Sequence, residues 1–314
     1  MRLKNISLNY GLRIFKALSE EPRVRIFHLL MLNKELSISD FELILDFTQT
    51  KTSRHLIYLK NAGLLGSRRV DQWVFYYILE EYPLKTYQHL FFDLDHTLWD
   101  YDRNVQESLS ELFLHYKLEK LGVLSAQHLI DSFYAVNFKL WSAYDKGELQ
   151  KEELRTTRFP RIFAHAGIVD AVIPEEFEGD FMHRTSSKPH LFPHTIEILD
   201  YLKPNYKLYV ITNGFDESQA KKMKSSGLYD YFELVVTSET TGHKKPDPRI
   251  FRYAMQQAGA SKENSLMIGD NPISDIKGAY DAGIDQVFFN PLGKSIDLIP
   301  TFTISHLREL EQIL

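Results

Sequence analysis

The spacing of apolar residues divides the chain into two parts with different periodicities. Up to about residue 63, apolar residues recur every three to four positions, which predicts a series of short helices. Two apolar runs within 64–79 then predict two strands around a tight turn near Asp71. From His89 onward, short apolar runs alternate with helical stretches, which is typical of a parallel sheet covered by helices.

The last helix of the first part has a polar outer face. It is predicted between Thr48, a suitable N-cap, and Gly63, a suitable C-terminal stop. Four residues project from its first turns, opposite the apolar side: Gln49, Thr50, Ser53 and Arg54. Such a face suits hydrogen bonding to base edges of double-stranded DNA, and Arg68 and Arg69 on the next strand suit contacts with phosphates.

Residues 11–79 resemble the ArsR-type winged helix-turn-helix family. The resemblance is carried by FKAL at 15–18, RVRI at 23–26, TSRHL at 52–56, AGL at 62–64 and WVFY at 73–76. It implies a DNA-binding domain, predicted at 1–82 and followed by a linker at 83–87. The alternative is a winged helix retained for protein interaction. Because the next strand follows within about ten residues, leaving no room for the family's dimerising helix, a homodimer would use the first helix or the second domain.

Charge and composition narrow the classes of function. Of the net charge of -5, residues 1–85 carry +4, from 13 Lys and Arg against 9 Asp and Glu, which leaves -9 for the remainder. This asymmetry favours a polyanion-binding part beside a part that gathers carboxylates, although it is also within ordinary scatter. The absence of cysteine excludes disulfides, thiolate metal sensing and a Cys nucleophile. With neither a secretory signal nor an apolar span in the sequence, we expect a cytoplasmic protein without a membrane partner.

Polar groups follow each of four predicted strands in the second part. The first strand ends in HLFFDLDHTL at 89–98, with acids at Asp93 and Asp95. Strands at 207–212, 232–237 and 265–269 precede the other polar groups: Thr212, Asn213 and Gly214, then Lys244 and Lys245, then Asp270 and Asp275. Ligands gather at the carboxyl ends of parallel strands, so these groups predict one site.

This ordered set resembles the signature of the haloacid dehalogenase superfamily over residues 88–314. The resemblance implies that Asp93 is a nucleophile forming an aspartyl-phosphate, and that Asp95 protonates the leaving oxygen and then deprotonates water. It implies Mg²⁺ held by Asp93, the backbone carbonyl of Asp95 and Asp270. Because a halide leaving group needs no proton, the acid at Asp95 favours a phosphatase over a dehalogenase.

The same resemblance assigns the remaining groups. Thr212 would bind the transferring phosphoryl group, and Lys245 would neutralise its charge. Lys244 competes for that role, but Lys245 directly precedes Pro246, as in the family motif. Asp275 would orient Lys245 or a metal-bound water. Two residues after the second strand would hold phosphate oxygens: Asn213 and Gly214.

A long insert separates the first two strands. Asp93 and Thr212 are 119 positions apart, and residues of about 103–187 are largely helical in pattern. The insert resembles the family's α-helical cap, which closes over small phosphorylated metabolites. The predicted fold class is therefore α/β, a Rossmann-like parallel sheet with an inserted helical cap, preceded by a small winged-helix domain.

Finer motifs resemble the pyrimidine 5'-nucleotidase branch, which implies a nucleotide substrate. They include TLWD at 97–100, ITNGF at 211–215 and KMKSSGL at 222–228. Arg158 is a candidate substrate contact. Three aromatic residues either stack on a base or belong to the core of the cap: Trp99, Trp141 and Tyr144. Three histidines favour a hinge over a zinc site because prolines interrupt their spacing: His183, His190 and His194.

Two functions are compatible with these motifs. The first is a Mg²⁺-dependent hydrolase of nucleoside monophosphates with an added DNA-binding part. The second is a transcription regulator whose phosphatase-like domain senses a phosphorylated metabolite. Because every catalytic residue type is present, the sequence favours the enzyme, and it shows no feature of a phosphomutase.

Overall fold

The computed structural model describes residues 14–79, 87–168 and 174–314. The start of the first predicted helix, the predicted boundary at residue 82 and most of the predicted linker at 83–87 lie outside the described residues. Among the helices that the structure describes, none is both long and apolar enough to span a bilayer.

In the described residues from Glu21 to Ile78, the N-terminal part packs three helices against a small antiparallel sheet, and a helical segment at 14–17 precedes them. Its elements are α1 (Glu21–Asn33), β1 (Glu35–Ser37), α2 (Ile38–Leu45), α3 (Gln49–Asn61), β2 (Leu65–Val70) and β3 (Trp73–Ile78). The strands are ordered β1-β3-β2. Thr48 caps α3 by accepting from the backbone N–H of Lys51, and Asp71 adopts a positive φ in the hairpin turn, as the turn residues predict. Leu56 and Leu59 of α3 are fully buried in the apolar cluster of this part.

The second part is built on a parallel sheet, which confirms the predicted α/β class. In the described residues its strands are β4 (His89–Phe92), β5 (Lys207–Thr212), β6 (Leu234–Thr237), β7 (Ser265–Gly269), β8 (Asp285–Phe289) and β9 (Phe302–Ile304), ordered β6-β5-β4-β7-β8-β9. The first four agree with the predicted strands. The sequence pattern does not single out β8 and β9, which are short and lie at one edge.

Four helices follow β4 and form a separate unit. They are α4 (Tyr101–His115), α5 (Ala126–Asp145), α6 (Lys151–His165) and α7 (Phe177–Ser186). Their apolar faces meet around Phe133 and Phe159, whose neighbours include Phe177 and Phe181. This helical unit agrees with the predicted insert at about 103–187.

Helices also cover both faces of the sheet. They are α8 (Thr195–Leu202), α9 (Asp216–Ser225), α10 (Ser238–Thr241), α11 (Pro248–Ala258) and α12 (Gly278–Asp281). Leu90 and Phe92 of β4 pack on one face with Leu199 of α8, whereas Phe91 packs on the other face with Phe251 of α11. Burying each phenylalanine contributes about 1.5–3 kcal/mol. Packing on both faces therefore holds β4 in place directly before Asp93.

Candidate active site

One lysine joins two carboxylates at the carboxyl edge of the sheet. Asp93 directly follows β4, and its Oδ1 lies 2.6 Å from Nζ of Lys245. The same ammonium lies 2.6 Å from Oδ1 of Asp275, and Lys245 is only 2% exposed. Lys244 turns elsewhere, with its ammonium over the ring of Tyr144. The structure thus places Lys245, rather than its neighbour, against the predicted nucleophile.

Three carboxylates share this pocket of the sheet. Oxygens of Asp93, Asp270 and Asp275 lie within 4.8 Å of one another. Burial raises the pKa of Asp93 to about 7, against the lowering effect of Lys245, and the charge of Asp275 raises it further. Burial also raises the pKa of Asp270 well above its usual value, followed by the charge of Asp275. Three acids against one lysine leave the cluster short of positive charge.

This donor set fits the metal that the sequence predicts. Clustered carboxylate oxygens without sulfur or imidazole suit a hard cation such as Mg²⁺. Asp275 is the least available of the three acids, because its Oδ1 accepts from Lys245 and its Oδ2 from the backbone N–H of Asn271. That leaves Asp93 and Asp270 as the side chains best able to hold an ion.

A second lysine and a glutamine hold Asp95. Nζ of Lys222 lies 2.7 and 2.9 Å from the two carboxylate oxygens of Asp95. Nε2 of Gln219 donates to Oδ2 of Asp95 at 2.9 Å and to Oγ1 of Thr212 at 3.0 Å. Burial alone would raise the pKa of Asp95, but the charge of Lys222 and these hydrogen bonds lower it. Asp95 is therefore tied to the residue predicted to bind phosphate.

The sequence analysis does not place Gln219 or Lys222 in the site, although Lys222 begins the KMKSSGL motif at 222–228. The two residues lie three positions apart on α9, on the side that faces the site. In a polar helix such residues look like part of a solvated face. The available signals are that motif and the position of both residues one to two turns after the loop that follows β5.

The loop after β5 is tightly constrained. The backbone N–H of Gly214 donates to Oγ1 of Thr212 at 3.1 Å. A Cβ on Gly214 would lie 1.6 Å from Nε2 of Gln219, so a side chain there would displace the amide. Asn213 accepts from the N–H of Lys245 and donates to its carbonyl. Asn213 therefore links this loop to the lysine loop, which leaves Thr212 and backbone N–H groups as the better phosphate contacts.

The predicted substrate contacts in the helical unit are occupied by protein. Arg158 is 3% exposed, and its Nε lies 3.0 Å from Glu178. The rings of Trp141 and Tyr144 pack on Phe215 at centroid distances of 5.4 and 5.5 Å. Trp99 is fully buried. All three rings therefore pack against protein, but Trp99 belongs to the apolar cluster of the sheet, and Trp141 and Tyr144 belong to a cluster with Phe215 rather than to the core of the cap.

The three histidines contact different partners. His183 lies 2.8 Å from Nζ of Lys221, and His190 lies 2.6 Å from Glu107. His194 directly precedes α8, as its N-cap residue, and has a positive φ. Within the described ranges, the cluster of potential metal ligands consists of the three carboxylates and contains no histidine. This arrangement favours the hinge over the zinc site.

The predicted DNA contacts divide into two groups. Gln49, Thr50 and Arg54 are exposed on the first turns of α3, with Ser53 partly exposed between them. The two strand arginines have protein partners: Arg68 pairs with Glu35, and Arg69 donates to the backbone carbonyl of Asp297. The face of α3 is thus open, whereas Arg69 contacts the second part of the chain.

Comparison with known proteins gives this site a family context. A family model described as haloacid dehalogenase-like hydrolase matches residues 90–289. The pyrimidine 5'-nucleotidase PynA of Streptococcus pneumoniae is 34% identical over 233 residues, covering 71% of this chain and 93% of PynA. The pyrimidine 5'-nucleotidase YjjG of Escherichia coli is 33% identical over 228 residues, covering 72% of this chain and 96% of YjjG.

A solved structure shares the fold of the same region. It is the HAD-hydrolase YfnB of Bacillus subtilis in a crystal form bound to magnesium. The TM-score is 0.65 at 29% identity, and the match covers 73% of this chain and 98% of YfnB. Whole relatives therefore correspond to the second part of this chain.

Proposed function

This chain belongs to the haloacid dehalogenase-like hydrolases, and from that premise we propose that it is a Mg²⁺-dependent phosphatase of pyrimidine nucleoside 5'-monophosphates. The observation that carries the proposal is the pairing of Asp93 with Lys245 beside a second, separately held acid, Asp95. One carboxylate is placed to attack and the other to exchange protons.

The metal would be held by the carboxylates of Asp93 and Asp270 with the backbone carbonyl of Asp95. Bound there, Mg²⁺ would offset the negative charge of the substrate phosphate, which otherwise repels the carboxylate nucleophile. Lys245 supplies one further positive charge at Asp93. Together they would bring the charge of the cluster close to balance.

The proposed reaction has two steps at Asp93. A carboxylate oxygen of Asp93 attacks phosphorus and the bond to the ester oxygen breaks. In spite of burial, Lys222 lowers the pKa of Asp95, so Asp95 has to take up a proton when the phosphate dianion binds beside it. It then gives that proton to the leaving oxygen. Asp95 then takes a proton from the water that hydrolyses the aspartyl-phosphate, which regenerates both carboxyl groups. Thr212 and the N–H groups of its loop would bind the phosphoryl oxygens during both steps.

The substrate class is tested by phosphate release from purified full-length protein. We expect uridine, cytidine and thymidine monophosphates to exceed purine nucleotides and sugar phosphates by about tenfold or more in kcat/KM. The helical unit over the site and the likeness to two pyrimidine 5'-nucleotidases support this order. EDTA should abolish release and Mg²⁺ should restore it. A preference for sugar phosphates would contradict the substrate class, and release in EDTA would contradict the metal.

A DNA-binding role of the N-terminal part is proposed alongside the enzyme. The proposed domain bounds are 1–82 for a winged helix and 88–314 for the hydrolase, and both ends of the first range lie outside the described residues. The supporting observation is the open polar face of α3, which starts at a capped N-terminus beside a β-hairpin. A cytoplasmic enzyme that also binds DNA, or a regulator that senses a nucleotide, would both use this face. Activity of the wild-type protein separates them.

A further inference from the structure

One buried amide joins the proposed proton donor to the proposed phosphate contact. Nε2 of Gln219 donates to Oδ2 of Asp95 at 2.9 Å and to Oγ1 of Thr212 at 3.0 Å. Gln219 is 1% exposed and Thr212 is 2% exposed. A side-chain amide has two N–H donors, so both donors of Gln219 are used inside the site.

The neighbours of this amide fix which way round it lies. Nζ of Lys222 donates to both oxygens of Asp95, which holds that side chain as a carboxylate acceptor. An amide turned the other way would place its oxygen against a carboxylate oxygen. Gly214 packs on the amide from another side, because a Cβ there would lie 1.6 Å from Nε2. The NH₂ group of Gln219 therefore faces Asp95 and Thr212.

This orientation leaves the hydroxyl hydrogen of Thr212 free to donate. Oγ1 of Thr212 accepts from Gln219 and also from the backbone N–H of Gly214 at 3.1 Å. A hydroxyl oxygen has two lone pairs and one hydrogen, so both lone pairs are used. Among the residues that the structure describes, none accepts the hydrogen. It is thus available to an oxygen of a phosphoryl group held at Asp93.

The same side chain leaves its own acceptor without a partner. Oε1 of Gln219 is buried and accepts no hydrogen bond from the described part of the chain. An unpaired buried carbonyl oxygen destabilises a fold, whereas an apolar side chain of similar length would bury no polar atom here. Stability therefore does not explain an amide at this position, but its two donors do.

We propose that Gln219 is a positioning residue that directs the hydroxyl hydrogen of Thr212 toward the transferring phosphoryl group and holds Asp95 beside the leaving oxygen. The inference rests on the proposed phosphatase and deepens it. Lys222 donates to Asp95, whereas Gln219 donates to Asp95 and Thr212. A substrate whose leaving group needs no proton separates these two contributions.

The test is a double-mutant cycle with p-nitrophenyl phosphate, full-length protein and Mg²⁺. This substrate depends little on Asp95, so a loss of activity reports on Thr212. We expect kcat/KM to fall about tenfold in Gln219→Met and about 10²-fold in Thr212→Val. Because Gln219 acts here through Thr212, the double variant should lose no more than Thr212→Val alone. Gln256→Met, at an exposed glutamine of α11, should keep the kcat/KM of wild type.

Binding of inorganic phosphate gives a second readout that needs no turnover. In calorimetric titration with Mg²⁺ present, the dissociation constant for phosphate should rise about fivefold in Gln219→Met. Adding the same substitution to Thr212→Val should raise it no further. If Gln219→Met does not fold, as judged by its melting transition, Gly214→Ala takes its place, because the new Cβ would displace the amide.

Two results would overturn this role of Gln219 alone. The first is additive losses, in which Gln219→Met lowers kcat/KM by the same factor in wild type and in Thr212→Val. The second is an unchanged kcat/KM of folded Gln219→Met with p-nitrophenyl phosphate. Either result, with an active wild type, leaves the proposed phosphatase standing. A wild type that neither releases nor binds phosphate would overturn both proposals.

Discussion

Two buried lysines pair with the carboxylates of this site and change the pKa values of single residues. Lys245 lies between Asp93 and Asp275, and Lys222 holds both oxygens of Asp95. Asp93, the proposed nucleophile, and Asp95, the proposed proton donor, are thus paired with different lysines. Without metal and substrate, burial raises the pKa of Asp93, whereas the charge of Lys222 lowers that of Asp95 in spite of burial. These directions are opposite to the proposed roles, so a cation bound at Asp93 and a phosphate dianion beside Asp95 would have to reverse them. This separation is a property of the fold, since α9 and the lysine loop reach the site from different strands.

Lys222→Met should reveal how far Asp95 depends on its lysine. We expect kcat for a nucleoside monophosphate to fall about 10²-fold, because the acid that protonates the leaving oxygen is no longer held in place. Hydrolysis of p-nitrophenyl phosphate should fall far less, since its leaving group needs no proton. Steady-state kinetics with both substrates measure the difference. Lys222→Arg should recover part of the loss in kcat. Lys224→Met, on the exposed side of α9, should leave kcat unchanged. Equal losses on both substrates would contradict the role of Lys222 in holding Asp95.

Asp270→Asn should stabilise the protein in the absence of metal. Burial raises the pKa of Asp270 well above its usual value and that of Asp93 to about 7. In that window the folded state binds more protons than the unfolded state, so the stability of the metal-free protein falls as the pH rises from about 4 to 7.

The measurement is the melting temperature in EDTA across this pH range. At pH 7.5 the variant should melt roughly 2 °C or more above wild type, and the difference should shrink toward pH 4. Adding Mg²⁺ should raise the melting temperature of wild type more than that of the variant, because wild type retains the carboxylate of Asp270 as a metal ligand. A variant that is less stable than wild type in EDTA at every pH would contradict the charge argument.

At the level of elements, the helical unit is joined to the sheet by an aromatic contact. Phe215 in the loop after β5 is 2% exposed and packs on Trp141 and Tyr144 of α5. Nζ of Lys151 lies 4.7 Å from the centroid of the same ring. The loop that follows Thr212 is thus packed against the helical unit, directly beside the residue that is proposed to bind phosphate.

Phe215→Ala should weaken this contact. Loss of a buried phenylalanine costs about 3–5 kcal/mol, and we expect a lower melting temperature together with a higher KM for the nucleotide. Thermal unfolding and steady-state kinetics measure the two effects. Phe138→Ala is the matched control, because Phe138 lies on α5 but is 78% exposed. An unchanged KM would show that the contact has no part in substrate binding.

The sequence predicts elements well where periodicity and strand-end chemistry agree. The strands that precede Asp93, Thr212 and Asp270 are apolar runs followed by polar groups, and the structure contains them. It contains β8 and β9 as well; β8 is as long as β7, but no group of candidate site residues follows β8 or β9. The roles of Gln219 and Lys222 do not follow from the sequence, not even from the motif that begins at Lys222, because only tertiary packing shows which polar face of α9 points inward.

At the level of the whole molecule, the charge asymmetry follows the two parts of the fold. The basic first 85 residues contain α3, and the acidic remainder contains the carboxylate cluster. The two parts touch through Lys60, Asn61 and Arg69, each bonded to a backbone carbonyl of the C-terminal region. The family model matches residues 90–289, so the N-terminal part lies outside the matched region.

DNA binding and catalysis should be separable by substitution. Gln49→Ala with Arg54→Ala should weaken binding to the promoter fragment of its own gene by about 1–3 kcal/mol, with unchanged phosphate release. Fluorescence anisotropy at several salt concentrations measures the affinity, which should fall as salt rises. Asn205→Leu should bind DNA as wild type does. DNA binding that does not depend on salt would contradict the proposed role of α3 in DNA binding. So would a DNA affinity of the double variant equal to that of wild type.

The most direct test of the central claim is Mg²⁺-dependent phosphate release from uridine monophosphate by wild type and by Asp93→Asn. The substitution keeps the size of the side chain and removes the attacking carboxylate. We expect turnover by wild type and a loss of at least about 10³-fold in the variant, with a melting transition that shows a folded protein. Turnover by folded Asp93→Asn at a rate near that of wild type would contradict it.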